Sequence, residues 1–451
     1  MAETHQQIVQ RLIARWPEHR IAPGTERVEA LCELLGSPQR SYPVIQIAGT
    51  NGKGSTAIMI DALLRSLGLR TGRFTSPHLN EVTERICIDG EPISDEDFDA
   101  LVADTQPLID MVDSQAIGGV PMTFFEVITA LAYEAFAQAP VDVAVVEVGL
   151  GGVTDATNVM DAAVAVICPI DLDHTHLLGT TITEIAREKA GIIKPGSQVV
   201  LAAQQPEAAK VLIERCADVG AKVYREGVEF SLLDRTPGVG GQLLRLQGAG
   251  GPVDDVLLPL FGAHMARNAA LAVAAVEAFL GGKALAADVI TEGLAVVEAP
   301  ARLEVVRRSP PVLLDTAHNP HGARATMEAL TESFTFVPLV GVVAMMADKD
   351  VDGLLSIFAD ELTTIVCTTV AGNSRALPAD ELAEWAASIM GEDRVRVAPT
   401  MADAIEVAVA LADDAGPGAG VLIAGSVIAA GQARALLVRE EQSRGWCRPT
   451  R

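Results

Sequence analysis

A lysine set in a glycine-rich loop is the residue of this chain with the plainest chemical use. Residues 44–55 read Val-Ile-Gln-Ile-Ala-Gly-Thr-Asn-Gly-Lys-Gly-Ser. The run 44–47 predicts a short buried parallel strand. Gly49, Gly52 and Gly54 break it, and a helical pattern opens at Ser55 and ends at Gly68. A strand, a glycine loop, a lysine and a helix N-terminus make a phosphate cradle: backbone N–H groups approach the oxyanions, the helix dipole favours negative charge, and Lys53 adds a point charge. The general P-loop has four residues between its first two glycines and a hydroxyl directly after the lysine. Here the loop is shorter, and Gly54 separates Lys53 from Ser55.

Phosphoryl chemistry needs a divalent cation, and Mg²⁺ takes a few oxygen ligands beside phosphates and water. Glu147 sits near the C-terminal end of the apolar run 141–149, and an unpaired carboxylate buried there would be costly, which favours metal over a salt bridge. Asp171, Asp173, His174 and His176 follow the next apolar run, 163–170. The carboxyl ends of parallel strands share one sheet edge, so these groups can converge with the loop. Ser76-Pro-His-Leu79 is a further loop at a strand end, because Pro77 holds Ser76 out of the helical region. Lys189 reads by default as a surface lysine paired with Glu184 or Glu188.

The elements that carry these groups alternate. Two helices flank the stretch 17–24, a strand is expected over 69–75, and Ser94 caps a helix to about Asp113. A strongly apolar helix follows Thr123, and Thr181 with Glu184 forms a capping box. Over 230–259, glycine- and proline-rich turns separate short alternating strands, an antiparallel appendage on a parallel sheet. Helices are expected over 262–280 and 284–297, and Pro300 marks a boundary. Beyond it strands and helices alternate again, giving a second, smaller Rossmann-like α/β domain. The fold class is α/β: a P-loop ATPase domain over 1–299 with a mainly parallel sheet, then a ligase domain over 300–451, the two facing each other across a cleft. The 451 residues suffice for two such domains. A net charge of −25 argues against a nucleic-acid partner, and no apolar run is long enough to span a membrane. The polar N-terminus has no signal-peptide core, and six scattered cysteines read as reduced thiols, so a cytoplasmic protein is expected.

Taken in order, the motifs resemble one family. Gly49-Thr-Asn-Gly-Lys-Gly-Ser55, Ser76-Pro-His-Leu79 with Glu84-Arg85, Thr123-Phe-Phe-Glu126, Glu147-Val-Gly-Leu-Gly-Gly152 with Asp155-Ala-Thr-Asn158, and Asp171-Leu-Asp-His174 occur in sequence. Glu188-Lys-Ala-Gly-Ile-Ile-Lys-Pro-Gly196, Arg302-Leu-Glu304 and Asp315-Thr-Ala-His-Asn-Pro-His321 complete the set. The whole is similar to folylpolyglutamate synthase/dihydrofolate synthase of the Mur ligase superfamily. The extra Gly54 is itself a mark of that family, whereas ligases of cell-wall precursors put Ser or Thr directly after the lysine.

The resemblance implies an ATP-dependent amide ligase that joins L-glutamate to folates, and to dihydropteroate, through an acyl phosphate. It implies ATP contacts from Gly49, Thr50, Asn51, Gly52, Lys53, Gly54, Ser55, Asn268, Arg302, Asp315 and His318. Two Mg²⁺ ions would be held by Ser76, Glu147, His174 and a carbamylated Lys189, with a monovalent cation such as K⁺ as a further cofactor. Lys53, Lys189 and His174 would serve catalysis. Ser76, Pro77, His78, Thr123, Phe124 and Asp155 would take the folate. A monomer acting on small molecules is expected. Ala301 stands where the family commonly has glycine, Met265 where glutamine is frequent, and Val153 where some bifunctional members have arginine. A peptidoglycan-precursor ligase and a non-catalytic ATP-binding regulatory module are the alternatives. The segment Gly372-Asn-Ser-Arg375 is a candidate for the glutamate site.

Overall fold

The computed structural model describes residues 3–16 and 22–443. They form two compact units, one of Met1–Arg235, Leu243–Pro259 and Met265–Val297, the other of Thr236–Gln242, Leu260–His264 and Glu298 onward. The stretch 17–24 read as an interhelical connection lies outside the described residues as far as residue 21. Helices His5–Ile13 and Glu26–Leu34 stand on either side of it.

The first unit is built on eight strands: β1 Val44–Ala48, β2 Thr71–Phe74, β3 Ile86–Ile88, β4 Glu91–Pro92, β5 Val143–Glu147, β6 Val164–Ile167, β7 Gln198–Leu201 and β8 Lys222–Arg225. Their order is β4-β3-β2-β5-β1-β6-β7-β8. β1 lies in the middle and every residue of β1 and β5 is buried, which is why both read as continuous apolar runs instead of alternating ones. β1 runs parallel to β5 and β6, pairing Ile47 with Glu147 and Ala48 with Ile167. The loops after these three strands therefore leave the sheet at one edge. Even-numbered residues of β5, Ala144 and Val146, pack with Val127, Leu131 and Phe136 of the helix Phe124–Gln138. A separate core joins Ile167 and Leu201 to Ile185 and Leu212 of the helices Ile182–Lys189 and Pro206–Val219.

Three further strands, β9 Ser231–Gly238, β10 Gly241–Gly248 and β11 Gly251–Leu258, form a small sheet of their own in the order β11-β10-β9, the expected appendage. In the second unit β12 Arg302–Arg308, β13 Pro311–Asp315, β14 Leu339–Val343, β15 Thr364–Cys367, β16 Val395–Val397 and β17 Gly420–Ala424 take the order β12-β13-β17-β14-β15-β16. All neighbours are parallel except β12 with β13.

Several elements went unread in the sequence. β3 and β4 are too short to show a period, and they are antiparallel members of the main sheet. The helices Pro206–Val219 and Val351–Glu361 and the strands β8 and β12 were also missed. β12 carries Arg302, Glu304, Arg307 and Arg308 on an edge position with two register shifts, so its charges obscure the strand signal. The helix after the glycine loop begins at Lys53, ahead of the expected Ser55, with Gly52 as its cap. The five described cysteines are free and buried, and Cys447 lies outside the described residues. Among the described residues no helix is long and apolar enough to cross a membrane.

Candidate active site

The loop after β1 is anchored from behind. Thr50 N–H donates to the Pro169 carbonyl at 2.9 Å, the Thr50 hydroxyl donates to the Asp171 carbonyl at 3.0 Å, and Asp171 N–H reaches the same hydroxyl at 3.0 Å. Asn51 N–H also points at Pro169 O, at 3.5 Å. Gly52 holds φ +86°, a left-handed conformation that suits glycine, and a Cβ there would come within 2.9 Å of Asn268 Oδ1. The buried Asn268 carboxamide thus lies directly against the loop backbone. Lys53 Nζ is 3.5 Å from Thr50 O and 4.0 Å from Glu147 Oε1. Gly54 passes the same carboxylate, since a Cβ on it would stand 3.4 Å from Glu147 Oε2. Ser55 is buried in the first turn of the helix.

Glu147 is where the loops converge. Its Oε2 accepts the Ser76 N–H at 3.2 Å, so the carboxylate joins the loop after β2 to the glycine loop after β1. This follows from the β2-β5-β1 order, which puts Glu147 at the end of the strand between them. A carboxylate beside a serine and a lysine-bearing phosphate loop suits Mg²⁺, which takes one or two carboxylates and completes its shell with phosphates and water.

The residues after β6 behave differently from an assembled cluster. Asp171 Oδ1 accepts the Leu172 N–H, Asp173 Oδ1 accepts the His174 N–H, and the His174 and His176 rings stand 6.4 Å apart. Among the described residues no group of three or more His, Cys, Asp or Glu side chains is placed to hold a metal. The Asp171 and Asp173 carboxylates brace the loop through these neighbouring N–H groups. His174 takes a left-handed φ of 50° ahead of the short helix Thr175–Leu178.

Lys189 is not the surface lysine that its helix position suggests. It is only 5% exposed, at the end of the helix Ile182–Lys189. Burial, and next the charge of Lys53, push its ammonium down to about 7, against the pull of Asp173 and Asp155. Asp155 is fully buried and braces the turn after Gly152. Its carboxylate accepts N–H groups of Leu150 at 2.8 Å and Thr157 at 2.9 Å and the Thr157 hydroxyl at 2.5 Å. Burial raises its pKa in spite of those bonds.

Pro77 follows a cis peptide bond. His78 Nδ1 accepts from Arg85 Nε at 2.8 Å, and burial together with the Arg85 charge pushes its pKa down to about 3. The Arg85 guanidinium also lies 5.0 Å from the Phe124 ring centroid. Thr123 caps the helix Phe124–Gln138, its hydroxyl accepting the Glu126 N–H at 3.1 Å while Glu126 takes the Thr123 N–H at 2.7 Å. Behind it the buried Arg27 clasps Glu126 through contacts of 2.7 to 3.0 Å. Gln46, buried in β1, donates to Thr157. Arg27 and Gln46 were not singled out in the sequence. The two signals were a polar residue inside the β1 run and an arginine in an apolar helix face.

Arg302 and Asp315 come together within the second unit, and His318 follows three residues after Asp315. Arg302 and Asp315 are register partners across β12 and β13. Asp315 is buried and accepts from Leu303 N, Ala317 N and the Thr326 hydroxyl at 2.8 to 3.0 Å. Burial raises its pKa, and Arg302 opposes that. His318 Nδ1 lies 2.9 Å from Thr316 O. Ala301 has φ +54°, which accounts for a glycine preference at this position. In the segment 372–375, Arg375 pairs with Asp348 at 3.3 Å.

The Mur ligase, glutamate ligase domain family matches residues 301–427. The Mycobacterium tuberculosis dihydrofolate synthase/folylpolyglutamate synthase is 48% identical over 97% of this chain and 94% of its own length. The structure of M. tuberculosis folylpolyglutamate synthase complexed with ADP superposes with a TM-score of 0.92 at 48% identity, covering 96% of this chain and 98% of that one. An FPGS complex with AMPPCP and folate superposes with a TM-score of 0.85 at 32% identity, over 97% of this chain and all of the other.

Proposed function

The chain belongs to the folylpolyglutamate synthase/dihydrofolate synthase family, and we propose that it joins L-glutamate to the γ-carboxylate of folates and to dihydropteroate with cleavage of ATP to ADP and phosphate. The acceptor carboxylate attacks the γ-phosphorus and forms an acyl phosphate. The glutamate amine then adds to the acyl carbon, and phosphate leaves from the tetrahedral intermediate. The observation that carries this reading is Glu147, whose carboxylate meets Lys53 at 4.0 Å, the Ser76 amide at 3.2 Å and the bare Cα of Gly54.

Each residue then has a task. The backbone of residues 49–55 and Lys53 bind the triphosphate and hold its charge in place through transfer. Ser76 and Glu147 would hold one Mg²⁺, and Glu147 with His174 a second. When bound, these ions spread the charge of the transferring phosphoryl group. Lys189 is buried with its amine near neutrality at physiological pH. That form adds CO₂ to give a carbamate and a proton, turning a cation that would repel metal into a carboxylate-like ligand. Asn268, Arg302, Asp315 and His318 serve the nucleotide. Ser76, Pro77, His78, Thr123, Phe124 and Asp155 serve the acceptor. The domains are an ATPase domain over 1–299 and a ligase domain over 300–451, and the latter carries Arg302, Asp315 and His318. The enzyme works as a cytoplasmic monomer, with K⁺ as an additional cation.

The test is an acceptor panel. Purified protein should release ADP and phosphate only with ATP, Mg²⁺, L-glutamate and a pteroate or folate together. Comparison of dihydropteroate with reduced folates reads out each activity. Turnover with a UDP-muramoyl acceptor alone would replace this reading with a cell-wall ligase, and nucleotide binding without any acceptor-stimulated turnover would replace it with a regulatory module.

A further inference from the structure

The dipeptide Glu84-Arg85 stands in the acceptor region, yet none of the roles above uses it. It closes the connection between β2 and β3, which pair antiparallel with Phe74 opposite Ile86. The Arg85 carbonyl accepts the Thr75 N–H at 3.1 Å and continues that ladder by one step. The Glu84 carboxylate gathers the N–H groups of Leu79 at 2.7 Å, Asn80 at 3.2 Å and Glu81 at 3.1 Å. One end of the Ser76–Leu79 loop is thus held by the Arg85 backbone and the other by the Glu84 side chain.

The Arg85 side chain acts on the middle of the loop. It is 2% exposed, and its Nε donates to His78 Nδ1 at 2.8 Å. A guanidinium has donors and no acceptor, so Nδ1 of His78 must be the bare nitrogen and the neutral ring must carry its proton on Nε2. The same guanidinium lies over Phe124, which starts a helix from a different part of the chain.

We propose that Arg85 is a positioning residue for the acceptor substrate: by tying His78 and Phe124 to one guanidinium it locks His78 in the Nε2–H tautomer, so that His78 offers a hydrogen-bond donor to an accepting atom of the pteroate or folate. This rests on the folate-ligase reading for the identity of the ligand, while the tautomer rests on the hydrogen bond alone. A donor in a fixed orientation favours an acceptor that presents a carbonyl or ring nitrogen there and disfavours one that presents N–H.

Two measurements test this on the full chain. Nitrogen-15 NMR of histidine-labelled protein should show His78 with Nδ1 unprotonated and Nε2 protonated, and Arg85→Leu should turn this into a mixture of tautomers. A protonated Nδ1 in the unsubstituted protein would overturn the proposal. In steady-state kinetics Arg85→Leu should raise the KM of the acceptor by about tenfold, the scale of one hydrogen bond, and leave the KM of ATP within about twofold. Arg85→Lys, which keeps the charge and can still donate, should fall between the two and serves if the leucine variant does not fold. His78→Gln retains a donor near the Nε2 position and has no tautomer to set. In that background Arg85→Leu should change the acceptor KM by no more than about twofold. An undiminished tenfold effect there, or an equal rise in the KM of ATP, would show that Arg85 only supports the fold and would refute the proposal. Absence of turnover with every pteroate would refute the ligand assigned to His78, and the NMR result would still decide the tautomer.

Discussion

Gly152→Ala places one methyl group where the backbone beneath Lys189 leaves no space. An ideal Cβ on Gly152 would lie 2.4 Å from the Glu188 carbonyl oxygen, 3.1 Å from Lys189 Cα and 3.2 Å from Lys189 O. Carbon and carbonyl oxygen settle no closer than about 3.3 Å, so the 188–189 backbone must withdraw by roughly 0.9 Å. The Glu188 carbonyl also accepts the Val153 N–H at 3.1 Å, a bond the withdrawal stretches or breaks. Overpacking of about 1–3 kcal/mol and one backbone hydrogen bond of about 1 kcal/mol together destabilise this region by roughly 2–4 kcal/mol. A side chain moved by about 1 Å in a catalytic set typically costs about a hundredfold in rate. Acceptor-dependent phosphate release is the assay, with circular dichroism and nucleotide binding at the same temperature giving the folded fraction. If the folded variant keeps kcat within about threefold of the unsubstituted protein, the link from Gly152 through the Glu188–Lys189 backbone to function is wrong.

Three other perturbations probe the same geometry. Arg27→Met strands the Glu126 carboxylate, which like Arg27 is only 4% exposed, and should destabilise the first unit by about 3–5 kcal/mol. Arg27→Met with Glu126→Leu should recover most of that loss, and urea unfolding that shows no recovery contradicts the buried-pair account. Ala301→Gly should raise stability by about 0.5–1 kcal/mol, because φ +54° strains alanine by more than glycine's extra unfolded entropy costs. A lower melting temperature would count against strain at that position. Lys189→Ala should lose turnover that short carboxylic acids partly restore, as expected where a carbamate is the working form, and an alanine variant with normal kcat removes Lys189 from the mechanism.

The parts of the molecule legible in the sequence were those coded by neighbours along the chain. The Thr181–Glu184 capping box forms as written, with Glu184 Oε2 accepting the Thr181 N–H at 3.0 Å. The β1 run, the glycine loop and the helix behind it share the same local coding, as does the small sheet over 231–258. β3, β4 and β12 were illegible because β3 and β4 are too brief to display a period and β12 is charged, whereas the edge strand β16 was read over its full length. Within the site, the Asp171 to His176 group reads as a metal cluster by residue type, but its carboxylates turn back onto the adjacent N–H groups at 2.7 and 2.8 Å.

By itself the sequence determined the composition of the phosphate loop, including the Gly54 that sets it apart, and the alternation that makes an α/β fold. Periodicity and loop chemistry act over a few residues, so a linear reading recovers them. Only the tertiary structure decided which groups meet. Glu147 faces both Lys53 and Ser76 because β5 lies between β1 and β2 in the sheet order. Arg27 finds Glu126 across a sequence separation of 99 residues. Burial and the nearby Lys53 charge push the Lys189 amine down to about 7, and Gly152 leaves the room that the 188–189 backbone occupies. The charge state of a side chain depends on what surrounds it in space, and that surrounding is set by strand order and packing, which no stretch of residues writes on its own.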